Sequence, residues 1–371
     1  MPAESTLVLP GLIDAHVHLR EPGATHKEDI ASGTSAALAG GVLGVLDMPN
    51  NRPQTASRLT LAAKLDLFAQ KAVSDYGLFV GYDGHDLQAL VEAAPAAVGL
   101  KLYLDETYGD MTIREPASLA ALFEAWPGPG PIAIHAESQA IRVAIDLAER
   151  YHQHLHVCHV PHPNELLRIE SARQRGVVVT CEVTPHHLFL TGEDGQRLGP
   201  YGRMKPPLLS PADVQLFWRR LSLVDIIASD HAPHSMAEKD SPDPPPGVPG
   251  LETTLPLLLW AADRGMLTLE RLQALTWHGP LHVFGLQPPA DSAVEIRIGQ
   301  PYTLPSDGYR TRCGWSPFAG HPALGRVSRV RLRGQTVWES GRLLARPGYG
   351  RPLTRAGASL TQRPSIQEDY T

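Results

Sequence analysis

Short apolar runs alternate with amphipathic stretches along most of the chain. Runs at residues 12–19, 42–48, 76–82, 98–104, 132–136, 155–160, 177–183 and 224–229 read as β-strands. Most are apolar throughout rather than at every second position, which implies burial on both faces and hence a parallel sheet. Helical patterns lie between them, at 27–39, 57–72, 86–93, 116–126, 139–151, 163–175 and 211–221. In the second of these, Leu61, Leu65, Phe68 and Ala69 recur at helical spacing. The punctuation agrees. Gly40-Gly41 and Gly176 close helices, Pro163 opens one at a tolerated first-turn position, and Ser210 caps another. Eight strand–helix units spread over about 250 residues have the size of a (β/α)8 TIM-type barrel, an α/β fold. Helices at 251–264 and 269–284 would complete it, and the Pro- and Gly-rich stretch 235–250 has to cross one end.

The texture changes near Asp291. Residues 293–298 and 326–338 alternate apolar with polar, the pattern of antiparallel strands with one wet face. They predict a small appended β-sheet built mainly from the C-terminal strands, with the N-terminal residues as further contributors. The expected division is a barrel over 7–290, a small β subdomain over 291–349 and a loose polar tail over 350–371. There is no solenoid-type repeat.

Composition narrows the function. A chain of 371 residues with 43% hydrophobic content can bury a large core. A net charge of −6 with 19% charged residues offers no basic patch for nucleic acid. No apolar run reaches the roughly 18 residues of a membrane span. The first residues, MPAESTLVLPG, lack the basic-then-apolar order of a secretory signal. Cys158, Cys181 and Cys313 are too few and too scattered for a disulfide framework, so a reducing cytoplasm is expected. The 17 histidines matter by position.

In a barrel of this kind chemistry sits at the C-terminal ends of the strands. The first strand ends in His16, His18 and Arg20. Strand residues two apart share a face, so both imidazoles and the guanidinium are expected to point one way. Later strand ends carry Asp47 and Asn50, then Lys101, His135 with Glu137, Cys158-His159, Glu182 with His186 and His187, and finally Asp230, His231 and His234. One such coincidence is common, whereas ligand-type residues on six of eight strands facing one opening are not.

Lys101 is the most telling, because lysine in mid-strand among apolar residues is rarely buried unpaired. Either it pairs with a carboxylate inside the barrel, or it is kept neutral and adds CO2 to become a carbamate able to bridge two metal ions. Asp230 reads as a carboxylate beside metal, able to take and return a proton. Alternation points Cys158 away from His159, so Cys158 is expected as a small buried apolar residue, turned inward beside Glu182 only by a bulge. His85, His152, His154, His156, His162, His278, His282 and His321 are assigned to ordinary hydrogen-bonding or surface roles.

The segments PGLIDAHVHLREPG, MPNNRP, GLKLYL, IHAE, HVCHV, TCEVTPHHLFL, ASDHAPH and PGLET, in this order, resemble the cyclic amidohydrolases. More narrowly they resemble the dihydroorotases, above all the animal type carried in the multifunctional pyrimidine-synthesis protein. The likeness covers about Leu7 to Gly350. It implies zinc held by His16, His18 and Asp230, a second zinc held by His135 and His159, and carboxylated Lys101 bridging them together with a hydroxide. It implies Arg20, Asn50 and His234 as holders of the substrate's α-carboxylate, and Cys158 with Glu182 as a third metal site. It places Thr107 and Tyr108 at the tip of an active-site loop, with Tyr where the animal type has Phe. Lys205 stands where an Arg is expected. The activity implied is reversible closure of N-carbamoyl-L-aspartate to L-dihydroorotate, with Asp230 as the catalytic acid and base. The likeness also implies a homodimer and association with aspartate transcarbamoylase. The alternatives are another cyclic amidohydrolase, allantoinase or dihydropyrimidinase, and a metal-free scaffold for the transcarbamoylase. Arg20, Asn50 and His234 together argue against the first, and the full ligand set argues against the second.

Overall fold

The computed structural model describes residues 5–107, 109–113 and 115–355. Its first strand, β1 (Ser5–Leu9), is not part of the barrel. Barrel strands follow as β2 (Leu12–Val17), β3 (Val42–Asp47), β4 (Asp75–Leu78), β5 (Val80–Gly81), β6 (Leu100–Tyr103), β7 (Ile132–His135), β8 (Leu155–Val157), β9 (Val179–Val183) and β10 (Ile226–Ile227). All their pairings are parallel. β4 and β5 are two pieces of one strand interrupted at Phe79, whose N–H donates to the Asp47 carbonyl at 3.0 Å. A bridge between Val17 and His231, with the His18 N–H donating to the His231 carbonyl at 2.8 Å, joins the first strand to the last. The eight expected strands thus form the ring of a TIM-type barrel. Every residue of β2, β3, β6 and β7 is buried, as a sheet covered on both faces requires.

Most elements end earlier than the apolar runs suggest, because strand ends turn aside to build the mouth. β2 stops at Val17 instead of Leu19, since the Leu19 N–H is taken by the Asp47 carboxylate at 2.7 Å. Arg20 then lies at φ +62. β10 is two residues long, because the Val224 N–H closes a tight turn on Leu221 and the Ser229 N–H goes to Asp14. The helix expected from Lys27 starts at Ile30, where Asp29 caps it, and Lys27 stays in the loop. The pattern over 269–284 is not one α-helix. It is a π-turn (Ala274–His278) between two short helices. Pro280 has no N–H for a continuing ladder, and Gly279 lies where a Cβ would meet the Asp225 carbonyl at 2.2 Å.

The appended sheet is antiparallel, in the order β1, β11 (Ala293–Ile298), β14 (Arg326–Leu332), β15 (Gln335–Glu339), β16 (Arg342–Leu343). A separate short hairpin pairs β12 (Tyr302–Thr303) with β13 (Pro322–Ala323). β1 pairs with β11 along its whole length, so residues 7–9 belong to this sheet and the barrel starts at Leu12. Gly11, at φ +109 against the Leu43 side chain, makes the turn between the two. The tail is not loose where it begins. The Gly350 N–H donates to Ala72, Arg351 and Leu353 bond to Tyr76, and Arg355 donates to the Ala97 and Val98 carbonyls. These contacts seal the starts of β4 and β6. Residues 356–371 lie outside the described residues. Among the described residues no helix is long and apolar enough to cross a membrane.

Candidate active site

The mouth of the barrel gathers residues far apart in sequence. His16 Nε2 and His18 Nε2 converge on one oxygen of Asp230, at 3.4 and 3.3 Å. The convergence is built from below. Asp14 accepts from the backbone N–H of His16 at 3.2 Å and of Ser229 at 3.1 Å, which ties the start of one ligand strand to the end of the other. Asp230 itself sits at φ +46, a turn that swings its carboxylate over the strand ends. His18 lies past the strand end, yet it faces the same point, held by Asn50 Oδ1 at 2.7 Å from its Nδ1.

A second group faces the first. His135 Nδ1 and His159 Nε2 meet at 3.0 Å, and the His16 and His159 rings lie 5.2 Å apart. The remaining ring nitrogens, His135 Nε2 and His159 Nδ1, are buried without a hydrogen-bond partner. Lys101 is fully buried on β6, with its Nζ 3.0 Å from Cys158 Sγ. Among the described residues no carboxylate lies within ion-pair distance of that amine. The ordinary explanation for a buried lysine, a carboxylate partner, is therefore missing.

Cys158 corrects the alternation argument. It faces inward together with His159, because His159 takes φ +29 and breaks the strand geometry. His16, Cys158 and Glu182 thereby offer a second metal-type cluster, with all three donor atoms within 4.8 Å of one another. Glu182 Oε1 sits 2.5 Å from His16 Nδ1, so an ion shared by these two would have to part them. His156, expected in an ordinary role, is buried beside this cluster and bonds Glu182 Oε2 at 3.2 Å.

The outer wall is cationic. Arg20 Nε donates to the Pro233 carbonyl at 3.1 Å, and its Nη2 lies 3.1 Å from His234 Nε2. Lys27, which the sequence reading did not single out, donates to His234 Nδ1 at 3.2 Å and pairs with Glu238 at 2.8 Å. The Pro246 carbonyl also lies 3.0 Å from His234 Nε2, so the ring meets the Lys27 amine at one nitrogen and the Arg20 guanidinium with this carbonyl at the other. One cavity is lined by Arg20, Asn50, Thr107 and Lys205 on this side, and by His16, His18, Lys101, His135, His159 and Asp230 on the other. His234 backs this wall through Arg20 instead of lining the cavity. Tyr108 lies outside the described residues, so only Thr107 of the loop tip can be placed. Tyr103 also lines the cavity, its hydroxyl buried without a partner. Its position two residues after Lys101 on one strand was a usable signal. Pro246 and Gly247 had none, because only the loop crossing brings them here.

The electrostatics ask for positive charge at the centre. Burial opposes a charged His16, but Asp230 and Glu182 outweigh it and raise the imidazole to about 10. Burial also opposes the Asp230 carboxylate, yet His16 and His18 hold its pKa well below the ordinary range. On the facing side burial, helped by Lys101, pushes His135 down to about 3, and burial pushes His18 down to about 4. Neutral imidazoles, orphaned ring nitrogens and ionised carboxylates are a donor set suited to zinc. A buried amine beside them, without a carboxylate, is suited to the carbamate.

The sequence profile of the amidohydrolase family matches residues 7–289. The chain is 43% identical over 354 residues to the multifunctional protein CAD of Squalus acanthias, covering 95% of this chain and 16% of that protein's length. It is 35% identical over 380 residues to a dihydroorotase of Halobacterium salinarum, covering 92% of this chain and 88% of that protein. Among solved structures, the L-hydantoinase (dihydropyrimidinase) of Arthrobacter aurescens superposes with a TM-score of 0.89 at 26% identity, over 94% of this chain and 89% of that one.

Proposed function

The chain belongs to the amidohydrolase family, and from that premise we propose that it is a zinc-dependent dihydroorotase of pyrimidine biosynthesis, closing N-carbamoyl-L-aspartate to L-dihydroorotate and reversing the step. One observation carries the reading. A metal-type cluster and an arginine-led anion wall share a single cavity. The relatives named dihydroorotase support it, and a plain hydantoinase has no need of a wall for a second carboxylate. A cytoplasmic setting, a homodimer and association with aspartate transcarbamoylase belong to the same reading.

His16, His18 and Asp230 would hold one zinc, His135 and His159 the other, with Lys101 as the carbamate between them. Cys158 and Glu182, with His16, are candidates for a third. Bound zinc supplies Lewis acidity toward the reacting carbonyl and lowers the pKa of water. The chain's own residues do the rest. Arg20 and Asn50, with His234 setting the Arg20 head, orient the α-carboxylate, so that the carbamoyl nitrogen and the side-chain carboxyl carbon meet over the cluster. Asp230, kept ionised, takes the proton from the carbamoyl nitrogen as the C–N bond forms. It passes that proton to the departing carboxylate oxygen, and one more proton from solution completes water. Ring closure thus consumes a proton and is favoured at acid pH. In reverse, Asp230 takes a proton from water and returns it to the leaving nitrogen.

The test is Asp230→Asn assayed with carbamoyl aspartate alongside allantoin and dihydrouracil. The expected loss in kcat is roughly 100- to 10,000-fold, the range for removing a general acid–base. Closure at the parent rate with zinc retained would exclude Asp230 from that role. Preference of the parent for allantoin or dihydrouracil would replace the substrate assignment.

A further inference from the structure

A single-file chain of hydrogen bonds runs up the inside of the barrel to the first of the zinc-type histidines. His154 Nε2 lies 2.9 Å from Thr180 Oγ1, and Thr180 Oγ1 lies 3.0 Å from His156 Nδ1. His156 Nε2 lies 3.2 Å from Glu182 Oε2, and Glu182 Oε1 lies 2.5 Å from His16 Nδ1. The direction of every bond follows from one fact. An ionised carboxylate only accepts. Glu182 is met on both oxygens by nitrogen donors, with one imidazole facing each oxygen. Both facing nitrogens must then donate, so His156 carries its proton on Nε2 and accepts the Thr180 hydroxyl on Nδ1. Thr180 in turn accepts from His154. At the other end, His16 turns Nδ1 to Glu182 and so presents Nε2 to Asp230 and the cavity. The backbone N–H of His159 donates to Glu182 Oε1 at 3.2 Å and completes the carboxylate's shell.

We propose that His156 is a positioning residue for the zinc centre. By donating to Glu182 it fixes the carboxylate that holds His16 in the tautomer and orientation a zinc ligand needs. The inference rests on the two-zinc reading above. It acts on the ligand through one intervening side chain, the arrangement by which outer partners tune metal affinity. The side chain is 1% exposed and stacks edge-on against Phe284 at 5.5 Å, so a phenylalanine can take its volume without its hydrogen bonds.

The experiment compares His156→Phe, His156→Gln and Thr180→Val with the parent, each loaded with zinc. The readouts are zinc per chain after gel filtration, the rate of zinc loss to a chelator, and kcat and KM at saturating zinc. His156→Phe should lose zinc roughly 10- to 100-fold faster, the usual effect of removing such a partner. His156→Gln, which keeps an N–H donor, should stay within a few-fold of the parent. Thr180→Val, which removes only the upstream hydroxyl, should fall between them and serves where His156→Phe does not fold. KM should move little in any of them. Parent-like zinc loss in His156→Phe, or in Thr180→Val where that variant stands in, with two zinc per chain in the parent, overturns the inference and leaves the two-zinc reading intact. Less than one zinc per chain in the parent overturns both.

Discussion

Lys64→Met tests whether the mouth is braced by a buried ion pair behind it. Lys64 and Asp47 are 1% exposed each, with Nζ 2.6 Å from Oδ2. Lys64 also donates to the Met48 carbonyl at 2.8 Å and to Asn51 Oδ1 at 3.1 Å. The other oxygen of Asp47 accepts the Leu19 N–H. The pair therefore joins the segment between His18 and Arg20 to the segment that carries Asn50. Methionine replaces the stem's apolar contacts but leaves Asp47 buried and unpaired. Breaking such a pair costs about 3–5 kcal/mol. Asp47 can escape by taking up a proton, which for an ordinary carboxyl costs about 4 kcal/mol at pH 7 and about 1.5 at pH 5. The loss at pH 7 is thus about 3–4 kcal/mol. A chain of 371 residues unfolds with an entropy near 0.8 kcal/mol/K, so the midpoint should fall by roughly 4–5 °C. Thermal unfolding of the single variant and of Lys64→Met/Asp47→Asn, at pH 7 and pH 5, is the assay. The deficit should shrink at pH 5, and the double variant should recover most of it. A loss under about 1 kcal/mol at pH 7, or a double variant no better than the single, would refute the bracing argument.

Three further outcomes follow from the site. Arg20→Lys keeps the charge and loses the planar fork, so KM for carbamoyl aspartate should rise roughly 10- to 100-fold, the worth of one charge-assisted bond, with a smaller change in kcat; an unchanged KM removes Arg20 from carboxylate binding. Lys239 is fully buried over the Trp315 ring, and burial, aided by Arg203 and Arg20, lowers its amine to about 7. A base whose folded pKa lies below its unfolded value penalises the fold while charged, so the parent should gain stability relative to Lys239→Met as pH rises from 7 to about 9; a flat difference between the two midpoints refutes it. Zinc titration of the parent and Cys158→Ser tests the third site, where an equivalent beyond two should vanish in the variant, and its persistence would exclude Cys158 as a ligand.

Much of the architecture was readable because barrel strands are apolar on both faces, and that signal survives without any knowledge of contacts. The residues gathered at the mouth were readable for a related reason. Polar residues ending buried strands have little else to do, and Lys101 inside GLKLYL breaks its pattern in a way burial makes costly. Alternation located His16 with His18. It failed at Cys158, because a positive φ at His159 is a tertiary accommodation with no local sequence mark. It also gave no weight to His156, whose importance comes from Glu182 on the neighbouring strand. Residues 5–9 join the appended sheet as expected, whereas 350–355 are held in place against the expectation of a loose tail. Each is short, and each is ordered by backbone pairing to partners hundreds of positions away. Period and composition report which face of an element is buried, so they determine the fold class and the ligand types. Which side chains meet across strands, which tautomer a histidine keeps and which lysine is left without a carboxylate depend on distances set only when the ring of strands closes.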